Sequence, residues 1–175
     1  NLTVSSPDNA SFQVFVKKSS SSAQSCKFIL KSDSGIIADL ETENFYDIYK
    51  NTKWNIAVRI VKEQDNKFLP ASSNTKYKVE FLGKSYLSTE VANEFSVSSV
   101  ITKTQYDNFN QSNKTFYIGA HKTNIKGATI NKTDIKVVNF NFWTRALSDE
   151  ELDLRAKNFT ITGFNKNYKL TDLPT

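Results

Sequence analysis

Methionine is absent from this 175-residue sequence, and cysteine and histidine occur once each, as Cys26 and His121. A single Cys excludes an internal disulfide, and one Cys with one His cannot build the clusters that hold structural zinc. Any Ser-His-Asp or Cys-His catalytic arrangement would rest on His121 alone. Gly and Pro are scarce, at five and three residues, which excludes collagen-like and low-complexity chains. No apolar run approaches the ~20 residues of a membrane-spanning helix, so insertion into a membrane is not expected. The missing Met leads to the expectation that the sequence is a segment cut or processed from a longer protein.

What is present suits a folded domain. A hydrophobic share of 38% and an aromatic share of 13% can supply one core, and a chain of this size hides roughly 70% of its unfolded surface in it. Residues 1–175 are therefore expected to form a single domain. Basic residues outnumber acidic ones by 23 to 18, giving +5. Only Arg59, Arg145 and Arg155 are Arg, and the Lys residues are spread from Lys17 to Lys169. A nucleic-acid binder concentrates its charge and favours the forked guanidinium, so no nucleic-acid partner is expected and a solvated basic surface explains the excess. Six Asn-x-Ser/Thr sequons begin at Asn1, Asn9, Asn110, Asn113, Asn131 and Asn158. In a chain so rich in Asn, Ser and Thr about four arise by chance, so they say little about glycosylation.

Period two dominates the hydrophobic pattern. In Trp54-Asn-Ile56-Ala-Val58-Arg-Ile60 every second residue is large and apolar while Asn55 and Arg59 face the other way, the pattern of a half-buried strand with Trp54 in the core. Tyr77-Lys-Val79-Glu-Phe81 repeats it, and Leu82-Gly83-Lys84 reads as the turn of a hairpin returning through Tyr86-Leu87-Ser88. Further strands are expected at 12–16, 27–30, 36–40, 45–49, 94–100, 115–120 and 135–143, with another near 159–164. Loops are expected between them at 19–25, 33–35, 65–66, 72–75 and 105–113. Ten or so short strands argue for an all-β sandwich or barrel, and no helices stand between strands as a parallel sheet would need.

One helix is well specified. Ser148 caps it, Glu151 three residues on completes a capping box, and Leu147 can close on Leu152 as a hydrophobic staple. Glu151 with Arg155 and Asp153 with Lys157 are expected as i,i+4 pairs. The helix should end near Asn158, with Leu152, Ala156 and Phe159 laid against the sheet. Trp143 is out of phase with Phe140 and Phe142, which puts it at a sheet margin, covering the helix or meeting a partner.

The order of these pieces carries a resemblance. A strand Lys53-Trp54 through Ile56-Ala57-Val58 is followed by Val79-Glu-Phe81-Leu-Gly83, then Phe116-Tyr-Ile118-Gly119-Ala120, then Val137 through Phe142-Trp143-Thr-Arg145-Ala146-Leu147-Ser148-Asp149-Glu150-Glu151-Leu152. This resembles the laminin-G-like branch of the concanavalin A-like lectin/glucanase superfamily. There a "W-x-x-V-A-V" strand, a "Y-V-N-G" hairpin, an "I-G" strand and a closing "V-R-I-Y-N-R-A-L-S-D-E-E-I" run recur in this order. The resemblance covers about Lys53 to Lys157, and residues before Trp54 carry no motif of it. It implies a two-sheet antiparallel jelly-roll sandwich with one concave face and one short C-terminal helix.

Glucanases of that superfamily carry E-x-D-x-x-E on one strand, because nucleophile and acid must flank one glycosidic bond at about 5 Å. Here Glu63-Gln-Asp65 has Phe68 where the second Glu should stand, and Glu151-Leu-Asp153 has Ala156 there. The chain is therefore not expected to be an enzyme, and a glycoside hydrolase lacking the usual motif ranks third among the readings. Sugar binding needs an exposed aromatic with amide or carboxylate groups beside it. The 105–113 loop offers Tyr106, Asn108 and Phe109, and the segment leaving the Ile118-Gly119 strand offers His121 and Asn124. In the competing reading Tyr106 and Phe109 only anchor a polar loop. No cofactor or metal site is expected; calcium is the one ion the resemblance brings into view, and its candidate oxygens, Asp33, Asp39, Glu41, Glu43 and Asp134, lack D-x-D-x-D-G spacing and read equally well as solvated acids at strand ends.

These readings converge on a non-catalytic recognition domain of a larger extracellular, cell-surface or virion-surface protein, binding glycan or docking a neighbouring protein subunit, and oligomeric through its parent. The alternative is a structural jelly-roll module of a viral capsid, tail or fibre with no small ligand.

Overall fold

The computed structural model describes residues 12–20, 22–32, 37–48, 50, 52–63, 71–111, 127–128 and 136–157. Over these the chain is mostly β, in two antiparallel sheets with two short helices. In the first sheet β1 (Phe12–Lys18) runs against β2 (Ser25–Ser32), from Phe12 opposite Ser32 to Lys18 opposite Cys26. Along the other edge of β2 lie two short strands, β3 (Leu40–Glu41) at Ile29–Leu30 and β4 (Phe45–Tyr46) at Ser25–Cys26. Buried Thr42 bridges the gap between them. Its N–H donates to the Phe28 carbonyl at 3.1 Å, and its hydroxyl accepts the Phe28 N–H at 3.0 Å, so a side chain supplies the partner that the irregular backbone does not.

The second sheet is a meander of β5 (Trp54–Lys62), β6 (Lys76–Leu87) and β7 (Glu90–Thr102). Alternation divides its residues between two faces. Tyr77, Val79 and Phe81 of β6 point inward with Phe95 and Ile101 of β7, and they join Phe28, Leu30, Ile37, Leu40 and Phe45 in one core, with Trp54, Val58 and Ile60 packed against it. Aromatic rings knit the sheets together. Phe28 lies 4.7 Å from Trp54 and 5.1 Å from Phe95, and Phe81 meets Phe95 edge-on at 4.9 Å. Each fully buried ring contributes roughly 1.5–3 kcal/mol through its burial. The expected core placement of Trp54 therefore holds.

Gly83 is not a turn. β6 runs unbroken from Lys76 to Leu87, and the hairpin closes at Ser88-Thr89, where Ser88 adopts φ 59°. Gly83 stands opposite Phe95, whose ring lies over its Cα where a Cβ would collide. Gly in a strand marks either a turn or a close approach, and here it is the second.

Nor is 105–113 a loop as far as it is described. Lys103–Gln111 forms helix α1, which the sequence signals in a capping box. Thr102 Oγ1 accepts the Gln105 N–H at 3.3 Å, and Gln105 Oε1 accepts the Thr102 N–H at 2.9 Å. Lys103 and Asp107 then pair one turn apart. Thr102→Ala should destabilise the protein by about 1 kcal/mol, a typical loss for an N-cap. Urea titration checks this, and an unchanged midpoint would mean that α1 is held by packing alone.

The expected strand at 135–143 is not formed over its described part. Residues 136–143 make no strand, and Val137, Val138, Phe140 and Phe142 are exposed. Alternation makes a strand only where a neighbour completes the ladder, and none of the described strands pairs with this run. The expected strands at 115–120 and near 159–164 lie outside the described residues.

The C-terminal helix forms as its caps require. α2 is Asp149–Lys157, with Ser148 Oγ accepting the Glu151 N–H at 3.3 Å and Glu151 Oε2 accepting the Ser148 N–H at 2.9 Å. It lies over the outward face of the second sheet, with Ala156 buried. Its acidic groups also reach beyond the helix: Glu151, which feels the charge of Arg155 one turn on, binds Arg145 at 2.5 Å, and Asp153 binds Lys84 of β6 at 2.7 Å. Trp143 covers the helix, with the Arg155 guanidinium 4.7 Å from its ring centre.

Candidate ligand-binding pocket

The outward face of the second sheet is a charge lattice that fixes α2. Arg59 of β5 donates to Glu80 of β6 at 2.5 Å, to the Leu147 carbonyl at 2.8 Å and to Asp149 at 2.6 Å. Lys78 reaches Glu80 from the side at 2.8 Å. Burial alone would push the Glu80 carboxyl up, but the hydrogen bonds from Lys78 and Arg59 outweigh it and hold it below the usual range. The Lys84 ammonium, shared between Asp153 and Glu94, is held above its usual value chiefly by its bond to Asp153.

Fixing α2 in this position creates a corner. Lys53 and Asn55 at the start of β5, Tyr86 near the end of β6, the Ser88-Thr89 turn, and Ala156 and Lys157 at the end of α2 enclose a pocket of about 230 Å³. A bulge helps to shape it: the register slips between Ser85 and Tyr86, so that Tyr86 faces Val91 and Ala92 is left unpaired. Bulges of this kind re-aim the side chain beside them. The Lys157 ammonium stands 5.9 Å from the Tyr86 ring centre. The Tyr86 hydroxyl is buried without a hydrogen-bond partner among the described residues, and burial is the main reason its pKa is raised.

Chemically the corner offers an amide, two hydroxyls, an aromatic ring and two ammonium groups. These can bind a polar ligand, but a glycosidase would need a pair of carboxylates, and the described lining holds no Asp or Glu.

The residues expected from sequence are distributed differently. Tyr106, Asn108 and Phe109 sit on α1, which follows Thr102 at the far end of the second sheet from this pocket. Tyr106 stacks flat on buried Tyr77, with ring centres 3.8 Å apart and planes 8° from parallel, which commits one ring face to the core. Phe109 is half-buried and Asn108 exposed. Three-residue spacing places Phe109 beside Tyr106, while Asn108, two residues on, falls on the other side of the helix. His121 and Asn124 lie outside the described residues.

No family model matches the chain, and no curated protein or solved structure matches it.

The calcium candidates are dispersed. Asp39 pairs with Lys31 at 3.4 Å and Glu41 with Lys27 at 3.6 Å, across the β2–β3 edge. Asp33 and Asp134 lie outside the described residues. Among the described residues no three His, Cys, Asp or Glu converge as a metal site would require.

Glu151 offers a direct check on the α2 junction. The hydrogen bond from Arg145, and then that from the Ser148 N–H, hold its carboxyl at about 2 against an ordinary 4.5. A depressed carboxyl stabilises the fold above its unfolded value and loses that contribution as pH falls through the folded one. The junction should therefore hold at pH 4.5 and loosen towards pH 2. Carbon-13 NMR of the Glu151 carboxyl should give a midpoint near the lower figure, and a midpoint near 4.5 would mean that the Arg145 bond does not persist in solution.

Proposed function

We propose that this chain is a non-catalytic recognition domain of a larger exported or virion-surface protein, and that it binds a glycan. The observation that carries the reading is the corner pocket, where the Asn55 amide, the Ser88 and Thr89 hydroxyls and the Tyr86 ring surround one small volume. Sugar hydroxyls need such donors and acceptors, and an aromatic ring suits the apolar face of a pyranose. The two packed antiparallel sheets agree with the finer assignment to a jelly roll of the laminin-G-like branch, and that assignment rests on the sequence motifs. No cofactor is required by this reading. Calcium remains the ion to include when binding is measured.

A glycan array probed with the purified chain, with and without calcium, tests the proposal. Retention on at least one saccharide class is expected, and no binding to any saccharide in either condition would overturn it. A second reading, docking to a neighbouring protein subunit, is favoured by one further observation. Val137, Val138, Phe140 and Phe142 are exposed along one short run, the kind of surface that interfaces cover. Loss of parent-protein assembly on replacing Val137 and Val138 by Ser, with saccharide binding absent, would favour docking.

A further inference from the structure

Resting on the glycan reading, we infer that Lys157 is the gate of the pocket: its ammonium holds the face of the Tyr86 ring on which a sugar stacks, and binding requires it to swing away. The first argument is which part of Tyr86 a ligand can use. Its hydroxyl is buried without a hydrogen-bond partner among the described residues, so the side chain is seated tip-inward and only its ring can meet a ligand. The bulge at Ser85 and Tyr86 aims that ring, with Val91 opposite it in the register. Lys157 lines the same pocket and stands over the ring, 5.9 Å from its centre, within the roughly 6 Å of a cation–π contact.

Distance is the second argument. Carbon atoms in contact lie about 3.5–4.0 Å apart. A pyranose laid on the Tyr86 ring would put its own ring at that height and its far hydroxyls above it, where the Lys157 ammonium stands. The two cannot share the face. Freedom to move is the third. Lys157 is exposed and ends α2, so its flexible four-carbon stem can turn into solvent without unwinding the helix. Asp153, one turn before it, is held by the Lys84 ammonium at 2.7 Å, and buried Ala156 seats the last turn. The helix end is fixed, and the ammonium carried on it can swing.

Isothermal titration of the intact chain with methyl β-galactoside, methyl β-glucoside and methyl α-mannoside tests this. At least one should bind, and Lys157→Ala should bind it about two- to fivefold more tightly, the worth of an exposed cation–π contact. Lys157→Arg should bind it more weakly than the unaltered chain, because a guanidinium stacks better on an aromatic face. Tyr86→Leu should lose most of the binding, whereas Lys103→Ala on α1, which removes the same charge as Lys157→Ala, should leave it unaltered. In proton NMR the ε-methylene signal of Lys157 should lie upfield in the ring current of Tyr86 and move downfield as the sugar saturates. Equal or weaker binding by Lys157→Ala would overturn the gate and leave the glycan reading standing. Equal gains in Lys157→Ala and Lys103→Ala would also overturn it, by assigning the effect to overall basic charge. No binding of any of the three sugars, by the unaltered chain or by Lys157→Ala, would overturn the gate as well, and the glycan array then judges the glycan reading separately.

Discussion

Replacing Gly83 by alanine should cost about 3–5 kcal/mol, a large part of the 5–15 kcal/mol by which a domain is normally stable. The reason is a single steric fact. The Phe95 ring occupies the space above the Gly83 Cα, and an added Cβ would overlap it. Phe95 cannot move away cheaply, because its ring meets Phe81 at 4.9 Å, Phe28 at 5.1 Å, and Phe45 and Trp54 at 6.0 Å each. Overfilling such a site forces side chains off their rotamers at roughly 1–3 kcal/mol, and expelling the ring adds a loss approaching that of Phe→Ala. The cost is one of space and not of backbone, since Gly83 does not adopt the positive φ that glycine alone tolerates. Phe95→Leu in the same chain should therefore recover part of the loss. Urea unfolding of the two single variants and the double variant checks this. Additive losses, or a Gly83→Ala cost below about 0.5 kcal/mol, would contradict the contact.

Removal of Arg59 should have the next largest effect. Glu80 is 8% exposed, and its carboxylate is satisfied there by Arg59 and Lys78. Arg59→Met leaves it with Lys78 alone, removes a donor from the Leu147 carbonyl and detaches Asp149. Breaking a buried pair by removing one partner costs about 3–5 kcal/mol. The remaining Lys78 bond lowers the expectation here to about 2–3 kcal/mol. The Asp149 link contributes little of this, because Asp149 is largely exposed. Adding Glu80→Leu should return most of the stability, since no charge is then left uncompensated. Hydrogen exchange should report faster opening of α2 in Arg59→Met than in the core strands. Equal acceleration throughout would mean that Arg59 supports the whole sheet and does not fasten the helix.

The sequence makes local rules legible and leaves juxtapositions hidden. Alternation from Trp54 to Ile60 identifies β5 and its buried face, and Ser148 with Glu151 identifies the start of α2. The same capping logic applied to Thr102 and Gln105 identifies α1, but the surrounding Asn and Gln residues read more readily as loop. Gly83 is ambiguous from sequence because the residue that decides its role, Phe95, stands across the hairpin. None of the described strands pairs with the alternating run ending at Trp143, and no pattern within the run can reveal which strand would. Pocket residues carry no motif of their own. Asn55, Tyr86 and Lys157 meet because β5 and β6 pair with Asn55 opposite Lys84, and because Lys84 draws α2 over the face through Asp153.

The most direct test of the account is to map where a saccharide binds. In nitrogen-15 NMR spectra of the intact chain titrated with the saccharide best retained on the array, the amides of Lys53, Asn55, Ser88, Thr89 and Lys157 should shift together with one affinity, while those of Tyr106, Asn108 and Phe109 stay in place. Shifts confined to α1, or no shifts at all, would contradict it.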